Sequence, residues 1–212
     1  MNISLIAAVW YILTCPVQYG YEDGACAWNN GVVPLSNDFA GDLVFDFPEM
    51  PSGPWGRQQY QVAGYLNTAV TQSLASYSTL TITMNVTTIS HTPVFNYVFE
   101  PDNTCVYPAH VRPYIERNGD NGVAPNYRWW ADDPYSYDLS IPGTVTITAP
   151  LSGAYWSNVR GQTGLQQPAG FKAALTTPMR VGVTVGGGCF YGHGVNTTSG
   201  VSQLSMVQMD LQ

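Results

Sequence analysis

Charge is what this 212-residue chain has least of. Asp, Glu, Lys and Arg together make up 10% of it, against roughly 25% in ordinary soluble proteins. Its surface must therefore be wetted by Thr, Ser, Asn, Gln and Tyr. Basic residues are the scarcest: six Arg and a single Lys, Lys172, stand against fourteen acids, for a net charge of -7. Too few cations are present to neutralise a phosphate backbone, which argues against a nucleic-acid partner. Without a polybasic cluster the chain also lacks the attraction that draws proteins to anionic membranes. Long apolar runs are missing as well. The segment Ile3-Ser4-Leu5-Ile6-Ala7-Ala8-Val9-Trp10-Tyr11-Ile12-Leu13 is too short to cross a bilayer as a helix.

That first segment has two readings. Its length suits the apolar region of a signal peptide, but no Lys or Arg precedes it and Thr14 before Cys15 is not a lipoprotein junction. The alternative is a buried first β-strand. Residues 1–14 are thus either a cleaved address or a strand, and 15–212 form a single β-sandwich domain. The length suits one sizeable core and is short for two.

Cysteines number four, Cys15, Cys26, Cys105 and Cys189, and none lies in the C-x-x-C spacing of zinc sites. An even number in a Lys-poor, Tyr- and Thr-rich chain fits two disulfides and an oxidising compartment. Of the three connectivities, 15–26 with 105–189 leaves the loops least entangled; four free buried thiols are the alternative.

What the chain does have is period-two alternation cut by turn residues, which reads as antiparallel strands with one buried face. The clearest run is Thr79 to Ile89: Leu80, Ile82, Met84 and Val86 share one face, and Thr79, Thr81, Thr83, Asn85 and Thr87 the other. Further strands are expected over Asp42–Phe47, Tyr60–Leu66, Val94–Phe99, Val111–Glu116, Thr144–Ala149, Arg180–Val185, Cys189–Val195 and Val201–Leu211. Asn30-Gly31, Asn118-Gly119, Asn121-Gly122, Pro142-Gly143 and Gly186-Gly187-Gly188 supply turns between many of them. About ten strands in one domain predict an all-β, antiparallel two-sheet sandwich of the jelly-roll type. One short helix is expected near 168–176, where Phe171, Ala174 and Leu175 fall at helical spacing behind Pro168.

Catalytic signatures are absent: no G-x-S-x-G elbow, no H-E-x-x-H, and only three histidines, His91, His110 and His193. A non-catalytic protein without a cofactor is expected. Two carboxylate pairs, Asp132 with Asp133 and Glu116 with Asp120, leave glycoside hydrolysis as the lesser option, since that chemistry needs two carboxyls across a cleft. Calcium is a weaker option, from oxygen ligands in the turns Asp120-Asn121-Gly122 and Asp102-Asn103; the twelve-residue calcium loop is missing. These Asx residues read more readily as turn formers.

The strongest functional clue is aromatic. Tyr127, Arg128, Trp129, Trp130, Asp132 and Asp133 crowd together, and Tyr191 and His193 sit within a glycine-rich stretch. Trp and Tyr rings stack on sugar faces while Asp and Arg bond hydroxyls, so these eight are candidate ligand-binding residues for an extracellular glycan. In a strand, however, Trp129 and Trp130 point to opposite faces, so at least one belongs to a core. The other class of function is structural: self-assembly on a cell surface, in a filament or on a virion, to which a Thr-rich exposed strand face and low charge are suited.

The sequence Tyr127-Arg128-Trp129-Trp130, followed by Gly186-Gly187-Gly188-Cys189-Phe190-Tyr191-Gly192-His193-Gly194-Val195, resembles a family of uncharacterised bacterial extracellular domains with R-W-W and G-G-G-x-F-x-G-H-G-V motifs. The resemblance covers roughly Val111 to Leu211. It implies an exported jelly-roll-like β-sandwich and carries no established activity. The glycines themselves are structural, since no helix N-terminus or Lys-Ser/Thr pair follows to cradle a phosphate.

Overall fold

The computed structural model describes residues 3–4, 10–16, 27–30, 43–46, 61–70, 72–97, 109–120, 124–187 and 195–212. In chain order the strands are β1 (Ile3–Ser4), β2 (Trp10–Pro16), β3 (Ala27–Asn30), β4 (Leu43–Asp46), β5 (Gln61–Ala69), β6 (Thr79–Tyr97) and β7 (Ala109–Arg117). They continue with β8 (Arg128–Ala131), β9 (Tyr137–Asp138), β10 (Gly143–Pro150) and β11 (Trp156–Asn158). Helix α1 (Pro168–Thr176) comes next, then β12 (Pro178–Gly187) and β13 (Val195–Leu211).

All described pairings are antiparallel, and they build two sheets. The first runs β4-β13-β6-β10, with β1 also alongside β13. The second runs β5-β12-β7-β8, extended by β2 and β3 beyond β5 and by β11 beyond β8. Among these eight principal strands only β7 and β8 are successive in one sheet; every other connection crosses to the opposite layer. That winding is the jelly roll anticipated from the turn spacing. One bridge, Val195 to Ala63, joins the two ladders along a shared edge.

Alternation decides what lies between the sheets. Leu80, Ile82, Met84 and Val86 of β6, with Ile147 and Ala149 of β10, face Val111 and Ile115 of β7 and Val181, Val183 and Val185 of β12 in one cluster. Each large aliphatic removed from water contributes about 1.5–3 kcal/mol. Strand β13 joins the same cluster only because it is bulged. Between Met206 and Gln208 the register shifts, so the inward set changes from Leu204 to Met209 and Leu211. A residue inserted there restores the parity that alternation alone would have lost.

The long strand β6 shows the same device. The alternation predicts Val94 to Phe99 as a strand separate from Thr79 to Ile89. The structure instead carries β6 through Pro93 to Tyr97. Opposite it the β13 ladder steps from Val94–Ser199 to Ser90–Val201, so residues 91–93 of β6 stand against Gly200 alone, at φ 72°. β6 therefore bulges there against a glycine at positive φ, and the hydrogen bond that Pro93 cannot donate falls where the ladder is already interrupted.

The helix lies at the expected place, with Phe171, Ala174 and Leu175 buried and Pro168 in its first turn. It closes the end of the sandwich where the loops before β6, β8 and β12 gather. Leu74 N–H donates to Leu175 O, Asn118 N–H to Thr177 O and Val70 N–H to Met179 O. Trp10–Pro16 forms a strand beside β5. The disulfide expectation lies outside the described residues at Cys26, Cys105 and Cys189, and at Cys15 only the backbone is described.

Candidate functional site

Strand β8 carries Arg128-Trp129-Trp130-Ala131, and its alternation splits the Trp pair as expected. Trp129 faces the core with no exposed surface. It meets Phe171 edge-on, ring centres 5.1 Å apart, and its Nε1 donates to Asn126 O at 3.0 Å. Trp156, on the neighbouring β11, packs on the same phenyl ring at 6.1 Å and donates to Pro150 O at 2.7 Å. This aromatic cluster is pinned by the loops before and after β11, where Gly153 and Gly164 cross. A Cβ on Gly164 would lie 2.5 Å from Gly153 Cα, so neither position has room for a side chain.

Trp130 points the other way and is buried too, at 6% exposure. Its ring tilts against Tyr114 of β7 at 5.7 Å, and its Nε1 has no hydrogen-bond partner among the described residues. Neither tryptophan therefore offers an open ring face to a sugar.

Around Trp130 the outer face of the second sheet is charged and closed. Arg112, Tyr114 and Glu116 of β7, Arg128 of β8 and Thr184 of β12 are all buried. Strand register aligns Arg180, Glu116 and Arg128 across β12, β7 and β8. Glu116 takes both contacts from Arg180 Nη1, at 2.9 and 3.1 Å, and Tyr114 hydroxyl donates to it at 3.4 Å. Arg128 Nε lies 3.1 Å from Asp120. Opposite charges thus alternate along the row, which is how buried charge is tolerated. Burial nonetheless pushes the Glu116 carboxyl above the usual range, with Arg180 pulling it back.

At the far end of β8, Asp132 accepts from Ser157 Oγ at 2.9 Å, and burial raises its pKa against that bond and the charge of Arg112. Asp133 is exposed, accepts from Ser136 Oγ, and lies 3.8 Å from buried Arg112, whose Nη1 also donates to Ala131 O. These two carboxylates engage different hydroxyls, Ser157 and Ser136, and Glu116 is committed to its arginine. His110, at the start of β7, titrates below its ordinary value because of burial and then Arg112, with Asp138 and Asp133 opposing. Tyr127 is half-buried, its ring 4.6 Å beneath the Arg117 guanidinium.

The structure thus brings six of the eight expected residues onto β8 and its flanks, three of them buried. Tyr191 and His193 lie outside the described residues, as do Asn121, Gly122, Asp102 and Asn103 of the calcium option. Asp120 is an ion-pair partner of Arg128. Among the described residues no group of three His, Cys, Asp or Glu could hold a metal, and no helix is long and apolar enough to cross a membrane. The aromatic that most faces water, Tyr155, is not among the eight expected residues. Tyr155 is 40% exposed and stacks edge-on with half-buried Tyr135 at 5.4 Å, beside Asp132. Alternation could not single out Tyr155, which lies in a single 3-10 turn, Gly153–Tyr155.

The first sheet presents a different surface. On its outer face Thr81 pairs with Thr148 at 3.1 Å, Thr83 with Thr146 at 3.0 Å, and Thr144 donates to Asn85 at 2.7 Å. No family model matches the chain, and no curated protein is similar to it.

Proposed function

We propose that this chain is a structural or assembly protein of a cell surface, filament or virion, acting through contacts between protein copies rather than through turnover. One observation carries the reading: among the described residues β10 is an open edge. Among the described residues it pairs with β6 alone, over eight residues in unbroken register and without a charged side chain. Natural sheets protect such edges with lysine, bulges or a covering segment. An unprotected edge is a template for strand addition. Jelly rolls serve both as particle building blocks and as lectin domains, so the fold alone favours neither, and the edge tips the balance. Sedimentation velocity of the full chain, with electron microscopy of the concentrated sample, tests this. Concentration-dependent oligomers or regular particles are expected; a monomer up to about 1 mM would overturn it.

Glycan binding is the second reading, favoured by the exposed Tyr155 ring beside Tyr135 and the Asp132–Asp133 turn. A reproducible glycan-array hit lost in Tyr155→Ala would support it, and an empty array would count against it. Either reading carries with it the extracellular or virion-surface setting, and the oxidised cysteines, that the composition and the family resemblance imply.

A further inference from the structure

We infer that two copies of this chain join edge to edge through β10, antiparallel about a two-fold axis at Thr146, so that two first sheets become one continuous sheet. The inference rests on the assembly reading and names its contact.

Self-complementarity is written in the strand. Its centre reads Thr144-Val145-Thr146-Ile147-Thr148, which keeps the same order of residue classes in either direction. Turned about Thr146, it sets Thr146 against Thr146 of the second copy and Thr144 against Thr148, while Val145 faces Ile147 twice. Hydroxyls meet hydroxyls on one face, and β-branched apolar side chains meet on the other. Cross-strand pairs of both kinds stabilise sheets. Such an interface is isologous: one patch serves both copies, and the contact closes on itself.

The exposed face already shows the pairing that would be repeated. Thr146 and Thr148 share hydroxyl hydrogen bonds with Thr83 and Thr81 of β6. A threonine hydroxyl has one donor and two acceptor sites, so each keeps capacity for a neighbour on its open side. Thr144, Thr146 and Thr148 are all exposed. With a net charge of -7, two copies repel one another over most of their surface. From Gly143 to Pro150, however, the edge bears no charge, so strands can approach there without that cost. The same register sets Ile141, 53% exposed, opposite Leu151 of the second copy, adding an apolar contact at each end. An interface of one strand pair is small, so association in the roughly micromolar range or weaker is expected.

The test is a charge swap at the axis, read by sedimentation velocity on the full chain. Thr146→Lys places two like charges directly opposite each other in the pair, whereas in the single copy it is an ordinary exposed edge lysine. It should weaken association by about tenfold or more and leave the melting temperature nearly unchanged. Thr146→Glu should do the same, and mixing the two variants should restore the wild-type oligomer. A second variant reads the register. Thr146→Cys should cross-link to itself above the wild-type background on oxidation, and Thr144→Cys, which faces position 148, should not. Restored pairing with cross-linking at 146 alone supports the inference. If the chain assembles but Thr146→Lys leaves assembly intact, or if Thr144→Cys cross-links as well as Thr146→Cys, the β10 contact is wrong while the assembly reading stands. If the wild-type chain stays monomeric, both fall.

Discussion

The outer faces of the two sheets are built by the same alternation and end in opposite states. On the first, Thr81, Thr83, Asn85, Thr144, Thr146 and Thr148 form a hydroxyl and amide lattice without charge, largely open to water. On the second, Arg112, Tyr114, Glu116, Arg128 and Trp130 are buried. Three of the chain's six arginines, Arg112, Arg128 and Arg180, lie on this face, each within 4 Å of a carboxylate, and only Arg112 faces an exposed one. Among the described residues the first face is open to water and the second is closed.

The sharpest way to break that contrast is at Trp130. If the second face is closed, Trp130→Ala empties a packed site beside Tyr114 and should cost about 3–5 kcal/mol, a fall in melting temperature of roughly 6–20 °C. An unchanged melting curve would mean that the ring lies open, as a glycan platform requires. Glu116→Ala comes next. It removes the carboxylate that pairs with Arg180, and a loss near 3 kcal/mol is expected by urea titration.

A pH series tests the same face more gently. His110 has a folded pKa below its unfolded value near 6.5. Its contribution is therefore present above about 6.5 and is lost as pH falls through the folded value. Glu116 and Asp132 run the other way. Their folded values are raised, so the folded chain holds extra protons just above the ordinary carboxylate range, and stability gains as pH falls there. Between pH 7.5 and 5.5 the wild-type melting temperature should drop more than that of His110→Gln; equal drops would remove His110 from the account. The smallest effect belongs to the open face. Thr148→Val removes one exposed hydroxyl pair with Thr81 and should change stability by less than about 0.5 kcal/mol.

These contrasts also mark what the sequence could tell. The face of β6 that enters the core, the helix from Pro168 to Thr176 and the opposite facing of the two tryptophans are all consequences of period, and periods are legible. Closure of the second outer face was not. His110, Arg112, Tyr114 and Glu116 alternate with apolar residues along β7 just as a solvent face does, and alternation separates the two sides of a sheet without saying whether the far side is covered. The continuity of β6 was hidden for a related reason: the two runs join across a register break, where residues 91–93 stand opposite Gly200, and only the pairing with β13 shows it. Short strands such as β11, with three residues, carry too little pattern to be seen, and with them went the exposed Tyr155 beside it.

Hydrogen exchange of the full chain at low and high protein concentration tests the central claim most directly. If copies assemble through the open edge, amides in the segment Gly143–Pro150 should exchange more slowly at high concentration, while those of β7, enclosed between β8 and β12, should exchange at the same rate in both samples. Association without added protection in Gly143–Pro150 would contradict the account.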